Sequence, residues 1–352
     1  MNSPRHTELQ RFVAAQFPHT RFSLAPASAD ASFRSYWRVD ADDKTWVVMD
    51  APPDKENIAP WLDIGARLHA AALHTPEVHA VDPAAGFILM EDLGTRTYLP
   101  ELNTVTVDAL YADAFDALLT MQTRVSAQGL SAFDDAFVTM ELELMAPWFL
   151  MRHLGYALTG EERGVIDAAI ALLTRNVRAQ PQSFMHRDFH SRNLMIVGNG
   201  EPGAADTALA NPGIIDFQGA LLGPITYDLA SLLRDCYIAW PGERVDAWVE
   251  RHRLRLIDAG AVDAGAEQFR RWFDLTGLQR HIKVLGLFCR LNYRDGKAAY
   301  LSDLPLVLDY VLGVSRRYPE LEAFAALIER AVADRDITEP LPKEKATWPV
   351  ER

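Results

Sequence analysis

Cysteine is nearly absent from this chain. Cys236 and Cys289 are the two that occur among 352 residues. They provide neither the number for a disulfide framework nor a Cys-x-x-Cys metal spacing, so a stapled secreted scaffold and a zinc ribbon are excluded, and a reduced compartment with a core role for both is expected. Long apolar runs are missing as well, since no 18 consecutive apolar residues occur. The start, Met1-Asn2-Ser3-Pro4-Arg5, leads into the amphipathic Leu9-Gln10-Arg11-Phe12-Val13 instead of the apolar core of a signal peptide. The expected setting is cytoplasmic, with no membrane partner. Positive charge is outnumbered: 35 Lys+Arg stand against 48 Asp+Glu, a formal net charge of −13. That balance argues against nucleic acid as a partner, because clustered cations are what bind it. No repeat at solenoid periods is visible. What the chain does have is 49% hydrophobic residues, ample for a buried core, in a length that suggests two domains or one large bilobal unit.

The chemistry is concentrated in two short runs, His186-Arg187-Asp188-Phe189-His190-Ser191-Arg192-Asn193 and Ile214-Ile215-Asp216-Phe217-Gln218-Gly219. An Asp, four residues, an Asn, and then a second Asp just after an apolar strand is the spacing that kinase-type phosphoryl transfer uses. One carboxylate holds the acceptor hydroxyl, while the Asn and the second carboxylate hold a metal on the nucleotide phosphates. Context supports the pattern. Phe184-Met185 leads into the first loop, Leu194 to Val197 leaves it as a strand, and Gly213-Ile214-Ile215 forms a further strand ending at Asp216. Such a hairpin would gather Asp188, Asn193 and Asp216 at one end of a small sheet.

Alternation in Phe33 to Val39 and the apolar Trp46 to Met49 predict two antiparallel strands after a first helix near Glu8 to Phe17; Ile58 to Leu73 has helical spacing, and Phe87 to Met90 is another strand. Beyond Asp92-Leu93-Gly94 long helices take over: 105–124, 137–154, 161–178, 231–240, 247–259, 267–293 and 304–318. The expected fold is α+β and bilobal, protein-kinase-like, with a small antiparallel-sheet N-terminal lobe over 1–92 that binds nucleotide. A large helical C-terminal lobe over 93–337 carries the catalytic β-hairpin and binds substrate, and 338–352 is a charged tail. The Gly-, Ala- and Asn-rich stretch 198–213 reads as a mobile connection.

These residues resemble the aminoglycoside phosphotransferase superfamily of small-molecule kinases, in which the second motif is likewise followed by a Gly-Pro and an Asp-Leu-Ala, here Gly223-Pro224 and Asp228-Leu229-Ala230. Within it, Asp30-Ala31-Ser32-Phe33-Arg34, Met49-Asp50-Ala51-Pro52-Pro53, Gln279 to Gly286 and Tyr293-Arg294-Asp295-Gly296-Lys297 are similar to the bacterial anomeric kinases of N-acetylmuramate and N-acetylglucosamine, over about Ala29 to Tyr310. The resemblance implies ATP as donor, Mg²⁺ as cofactor, a small-molecule sugar as acceptor, and an α-1-phosphate product in cell-wall recycling. An aminoglycoside or other small-molecule phosphotransferase and a nucleotide-binding pseudokinase scaffold are the rival readings.

Asp188 is the candidate for orienting and deprotonating the acceptor hydroxyl. Asn193 and Asp216 are the candidate metal ligands, an amide oxygen and a carboxylate that suit a hard cation better than zinc. Ala31, Ser32, Phe33 and Arg34 occupy the place of a phosphate-covering loop, without glycine, and Glu91 and Leu93 stand where a hinge would offer backbone groups to adenine. His190, Arg192 and Asp228 are candidates for the substrate side, Asp228 being equally suited to capping a helix and bracing the loop. Arg280, Lys283, Arg290 and Arg294 fall within an arc of about 80° on one helix, beside an apolar stripe of Val284, Leu287, Phe288 and Leu291. There they would line a cleft for an anionic substrate or form a solvated face. The departure from the superfamily is at Met49, which aligns with the strand lysine that normally pairs with the phosphates. Arg34, Lys44, Lys55 or Arg67 would have to supply that cation, or the metal would carry more of the charge.

Overall fold

The computed structural model describes residues 4–29, 33–41, 44–197 and 211–341. The chain divides into two compact units, one formed by Met1–Val125 with Arg192–Ala220 and the other by Ser126–Ser191 with Leu221–Arg352. Residues 93–125, 192–197 and 211–220 thus fall in the unit that holds the sheet, where the sequence suggests a division after residue 92.

The first unit is built on a five-stranded antiparallel sheet in the order β1-β2-β3-β5-β4. The strands are β1 (Phe22–Ala29), β2 (Ser35–Ala41), β3 (Lys44–Asp50), β4 (Val78–Asp82) and β5 (Phe87–Glu91). Sequence patterning misses β1 and β4, since neither alternates cleanly. The period of two divides the sheet's faces. Val39, Val48, Phe87 and Leu89 form a core with Leu9 and Val13 of α1 (Pro4–Gln16). Arg5 of α1 reaches Asp50 at the end of β3 at 2.6 Å and lies over the Phe87 ring, so Asp50 belongs to the α1 side. On the other face two rows cross the sheet, Arg38–Val47–Met90 and Tyr36–Met49–Ile88. Helices α2 (Ala59–Ala70), α3 (Tyr98–Glu101) and α4 (Val107–Arg124) complete this unit with a two-residue hairpin, in which β7 (Leu194–Met195) pairs with β8 (Gly213–Ile214). Gly94, at φ 87°, makes the turn that leads away from β5.

The second unit is helical around α9 (Ala266–Asp295), which is buried almost continuously from Phe269 to Cys289. Around it stand α5 (Asp135–Leu142), α6 (Gly160–Arg178), α7 (Tyr227–Leu233), α8 (Gly242–Asp258), α10 (Leu304–Ser315) and α11 (Glu322–Val332), with a short ribbon of β6 (Gln182–Met185) and β9 (Leu221–Pro224). The strand leading into the catalytic loop therefore pairs with β9, not with the hairpin expected to include it. Asp134 caps α5 by accepting from Phe137 N, and Thr159 with Glu162 forms a capping box on α6. The helix expected over 137–154 divides at Glu143 and continues as a π-helical segment, Met145–His153. Here α9 approaches so closely that a Cβ on Gly286 would overlap the Leu144 carbonyl. The helix expected over 231–240 spans Tyr227–Leu233 instead, and it stops where Asp235 turns its carboxylate to Tyr237 N and to Ser191, bonds that compete with the helical ladder. Both cysteines are free and buried, Cys289 within α9 and Cys236 just beyond α7. Among the described residues one stretch, Ala298–Ser315, is long and apolar enough to cross a membrane, at a mean hydropathy of 1.2. It divides into a 3₁₀ turn and α10, and Leu301, Leu304, Val307 and Val311 are in the core. The described part of the expected tail is tied down by Leu341 N donating to Tyr293 Oη at 3.1 Å. The rest of that tail and most of the 198–213 connection lie outside the described residues.

Candidate active site

The catalytic loop leaves β6 at Met185 and is held at both ends. Asp228, in the first turn of α7 and 2% exposed, accepts from His186 N at 2.7 Å and from Arg187 N at 2.9 Å. Two consecutive amides bound to one carboxylate fix the turn in which Arg187 sits at φ 77°, a conformation costly for a side chain that is not glycine. At the far end Ser191 donates through both N and Oγ to Asp235 Oδ2, at 3.0 and 2.5 Å. Asp188 N donates to His186 Nδ1 at 3.3 Å, so Nε2 carries that ring's proton. Asp228 is thus a brace for the loop, one of the two roles expected of it. Burial pushes its carboxyl up to about 7, against the pull of the two amides.

Asp188 lies amid cations. Burial alone would raise its pKa, but Lys283, His190, Arg280 and Arg187 outweigh that and hold it below the ordinary carboxylate value. Those cations are themselves anchored. Glu141 of α5, 3% exposed, takes Lys283 Nζ and an Arg187 Nη each at 2.9 Å on Oε1, and Gln279 Nε2 at 3.1 Å on Oε2. Arg280 donates to Cys236 Sγ at 3.1 Å, and the His190 ring meets Tyr237 edge-on. Of the four basic residues on α9, the structure brings Arg280 and Lys283 to Asp188. Arg290 is half-buried further along the helix, and Arg294 is exposed and paired with Asp295.

The cleft face of the sheet unit encloses a cavity of about 470 Å³. It is lined by Tyr36, Arg38, Val47 and Met90 of the sheet, by residues 91–95, and by Arg192, Asn193 and Asp216. Along residues 91–94, Glu91 turns its carboxylate to His74 at 3.1 Å, while Arg38 grips Asp92 and donates to Gly94 O. Leu93 lines the cavity. Asn193 precedes β7 and Asp216 follows β8, and the hairpin register, with Ile215 N donating to Asn193 O at 3.1 Å, brings the two side chains within 3.4 Å. Asp216 is held at φ 62°. Gln218 Nε2 donates to its Oδ1 at 2.6 Å, and Arg34 stands 3.6 Å from the same oxygen. Phe33 is exposed, with Lys55 Nζ 4.6 Å above its ring. Ala31 and Ser32 lie outside the described residues. Of the four candidates for the missing strand cation, Lys55 is on Phe33, Arg67 pairs with Asp63, Lys44 is at the exposed start of β3, and Arg34 is beside Asp216. Sequence reasoning misses Glu141, Arg38, Gln218 and Asp235. Arg38 was recoverable as a charged residue amid an apolar alternation, whereas an acid among the helical residues 138–145 carries no comparable signal.

The model of the phosphotransferase enzyme family matches residues 23–268. The chain is 42% identical over 306 residues to the N-acetylmuramate/N-acetylglucosamine kinase of Pseudomonas aeruginosa, covering 87% of each. It is 38% identical to the protein of that name from Neisseria meningitidis, covering 95% of this chain and 98% of the relative. Among solved structures, choline kinase LicA from Streptococcus pneumoniae superposes with a TM-score of 0.61 at 10% identity, over 88% of this chain and 99% of its own. An ADP-bound aminoglycoside phosphotransferase does so at 0.56 and 16%, over 86% and 97%. At these identities the two structures establish the α+β, kinase-like fold expected from the sequence. The match over most of its length and the relatives at about 40% identity make this chain a member of the phosphotransferase enzyme family.

Proposed function

We propose that the protein is an ATP-dependent sugar kinase that phosphorylates the anomeric hydroxyl of N-acetylmuramate, N-acetylglucosamine or both, giving the α-1-phosphate, in the cytoplasmic recycling of cell-wall sugars. The observation that carries the acceptor is the identity of 38–42% to kinases of that name across most of the chain. Asp188 orients the attacking hydroxyl and accepts its proton, and its surrounding cations keep it ionised for that task. Asp228 and Asp235 hold the loop that presents it. The hinge at Glu91 to Gly94 presents backbone groups to the adenine, and Arg34 and Arg192 stand at the phosphate end.

The residues present fit Mg²⁺. Asn193 and Asp216 offer hard oxygen donors side by side, and among the described residues no three His, Cys, Asp or Glu side chains form a metal cluster that would satisfy a softer ion. Mg²⁺ held there would complete its shell with water and phosphate oxygens and offset phosphate charge.

Transfer to an aminoglycoside is disfavoured by the identity of about 40% to kinases named for the amino sugars. Single-turnover transfer from ATP to a panel of N-acetylmuramate, N-acetylglucosamine, an aminoglycoside and no acceptor tests the reading. Product with either amino sugar and none with the aminoglycoside is expected. Transfer to the aminoglycoside alone would replace this acceptor, and nucleotide binding without any transfer would make the protein a pseudokinase.

A further inference from the structure

Three nitrogen donors converge on the carboxylate of Asp216. Gln218 Nε2 is 2.6 Å from Oδ1, an Arg34 Nη is 3.6 Å from the same oxygen, and Asn193 Nδ2 is 3.4 Å from Oδ2. The Arg34 side chain is 10% exposed, so its guanidinium is partly desolvated where it stands, while 39% of the Asp216 side chain is open. A divalent cation would use the same carboxylate oxygens together with the amide oxygen of Asn193, not its NH₂. Metal and Arg34 thus call on one carboxylate.

A nucleotide adds a second demand. Its phosphates need a cation beyond the metal, and β3 has none on the cleft face, where fully buried Met49 lies between Tyr36 and Ile88. Arg38 is committed to Asp92 and Gly94 O, Lys55 to the Phe33 ring and Arg67 to Asp63. Arg34 stands directly before β2 and adjoins the carboxylate that the metal would occupy. We propose that Arg34 is an exchange cation. It competes with the metal for Asp216, and arrival of the metal-nucleotide transfers its guanidinium from Asp216 to the phosphates, where it replaces the strand lysine that this chain lacks. The proposal rests on Asp216 being a metal ligand.

The exchange has two opposite consequences for one substitution. Removing the Arg34 charge frees Asp216 for a metal ion by itself, yet removes a charge-assisted bond from the nucleotide complex. Binding of Mn²⁺ alone, followed by the spectroscopic signal of the free ion, and calorimetric binding of ATP with Mg²⁺ would be measured on wild type, Arg34→Gln and Arg34→Lys, with thermal melting to establish folding. Arg34→Gln is expected to bind Mn²⁺ about threefold or more tightly and Mg²⁺·ATP on the order of tenfold more weakly, the loss of one charged hydrogen bond. Arg34→Lys should stay near wild type in both. A folded Arg34→Gln protein whose Mn²⁺ affinity is unchanged or weaker, or whose ATP affinity is unchanged, overturns the exchange. Asp216→Asn separates the two ideas. If it abolishes metal-dependent binding while Arg34→Gln is silent, the exchange alone is wrong. If it binds Mn²⁺ and Mg²⁺·ATP like wild type, Asp216 is not a metal ligand and the exchange falls with it.

Discussion

Glu141 and Lys283 form a buried ion pair at 2.9 Å, with side chains 4% and 12% exposed, and the same carboxylate oxygen also takes Arg187. An acid from α5 thereby holds two of the cations that surround Asp188. Removing it would leave Lys283 and Arg187 without their counter-charge in a desolvated site. Glu141→Ala should destabilise the protein by about 3 to 5 kcal/mol, and Glu141→Met with Lys283→Met together by less than Glu141→Met alone. Urea unfolding of the single and double variants gives the coupling; strictly additive losses would mean that the pair is not coupled.

The same cluster sets a pH dependence. Because Lys283 is foremost among the groups lowering the Asp188 pKa, Lys283→Met should raise it, moving the acid limb of kcat/KM toward higher pH while Mg²⁺·ATP affinity at pH 8 stays near wild type. The check is the profile of both proteins between pH 5 and 9. A limb that does not move, or moves to lower pH, contradicts Lys283 as the group that keeps Asp188 ionised.

Turnover should depend on Asp188 far more than nucleotide binding does, since the cleft in the sheet unit is lined without it. Asp188→Ala is expected to lose about 10²-fold or more in kcat while binding Mg²⁺·ATP within a few-fold of wild type. Stopped-flow turnover and calorimetry on the same preparation decide it, and near-normal turnover in a folded protein would remove Asp188 from the chemistry.

Recognition of a lactyl carboxylate, which distinguishes N-acetylmuramate from N-acetylglucosamine, would need a cation with capacity to spare. Arg280 is engaged by Cys236, Lys283 by Glu141 and Arg294 by Asp295, whereas buried Nε of half-buried Arg290 has no partner among the described residues. Arg290→Gln should therefore lower kcat/KM for N-acetylmuramate on the order of tenfold and leave N-acetylglucosamine nearly unaffected, with Arg294→Gln changing neither. A ratio between the two sugars that moves by less than about threefold in Arg290→Gln would place carboxylate recognition elsewhere.

Gly286 should tolerate no side chain. Its Cα faces the Leu144 carbonyl where α9 meets the π-helical segment, and backbone cannot yield as a side-chain tip can. Gly286→Ala is expected to cost about 3 kcal/mol, measured by urea denaturation, against a small change for Gly164→Ala in α6, where a Cβ meets nothing within 4 Å.

Much of the architecture could be read along the chain. Alternation marked β2, short apolar runs marked β3 and β5, and longer helical stretches marked α2, α4, α6 and α9, because such patterns are local properties that a core of either kind imposes. Where neighbours intrude, the reading failed. α7 ends early because Asp235 is drawn to Ser191, and the helix after α5 widens where α9 presses against it. The strand β6 pairs with β9, and β1 and β4 were not legible in a pattern that half-exposed strands blur.

The sequence by itself determined which chemistry is possible. An Asp, an Asn five positions later and an Asp after the next apolar strand define a phosphoryl-transfer set through residue type and spacing along a loop and a two-strand hairpin, all short-range. Only the tertiary structure decided how those groups are tuned. Glu141 meets Gln279 across 138 residues of chain, Asp228 reaches back 42 to brace the loop at His186, and Arg34 arrives beside Asp216 from the loop ahead of β2. Electrostatic work falls off with distance in space and with exposure to water, neither of which is written in sequence separation, so the residues that set the charge of the site appear only when the chain has folded.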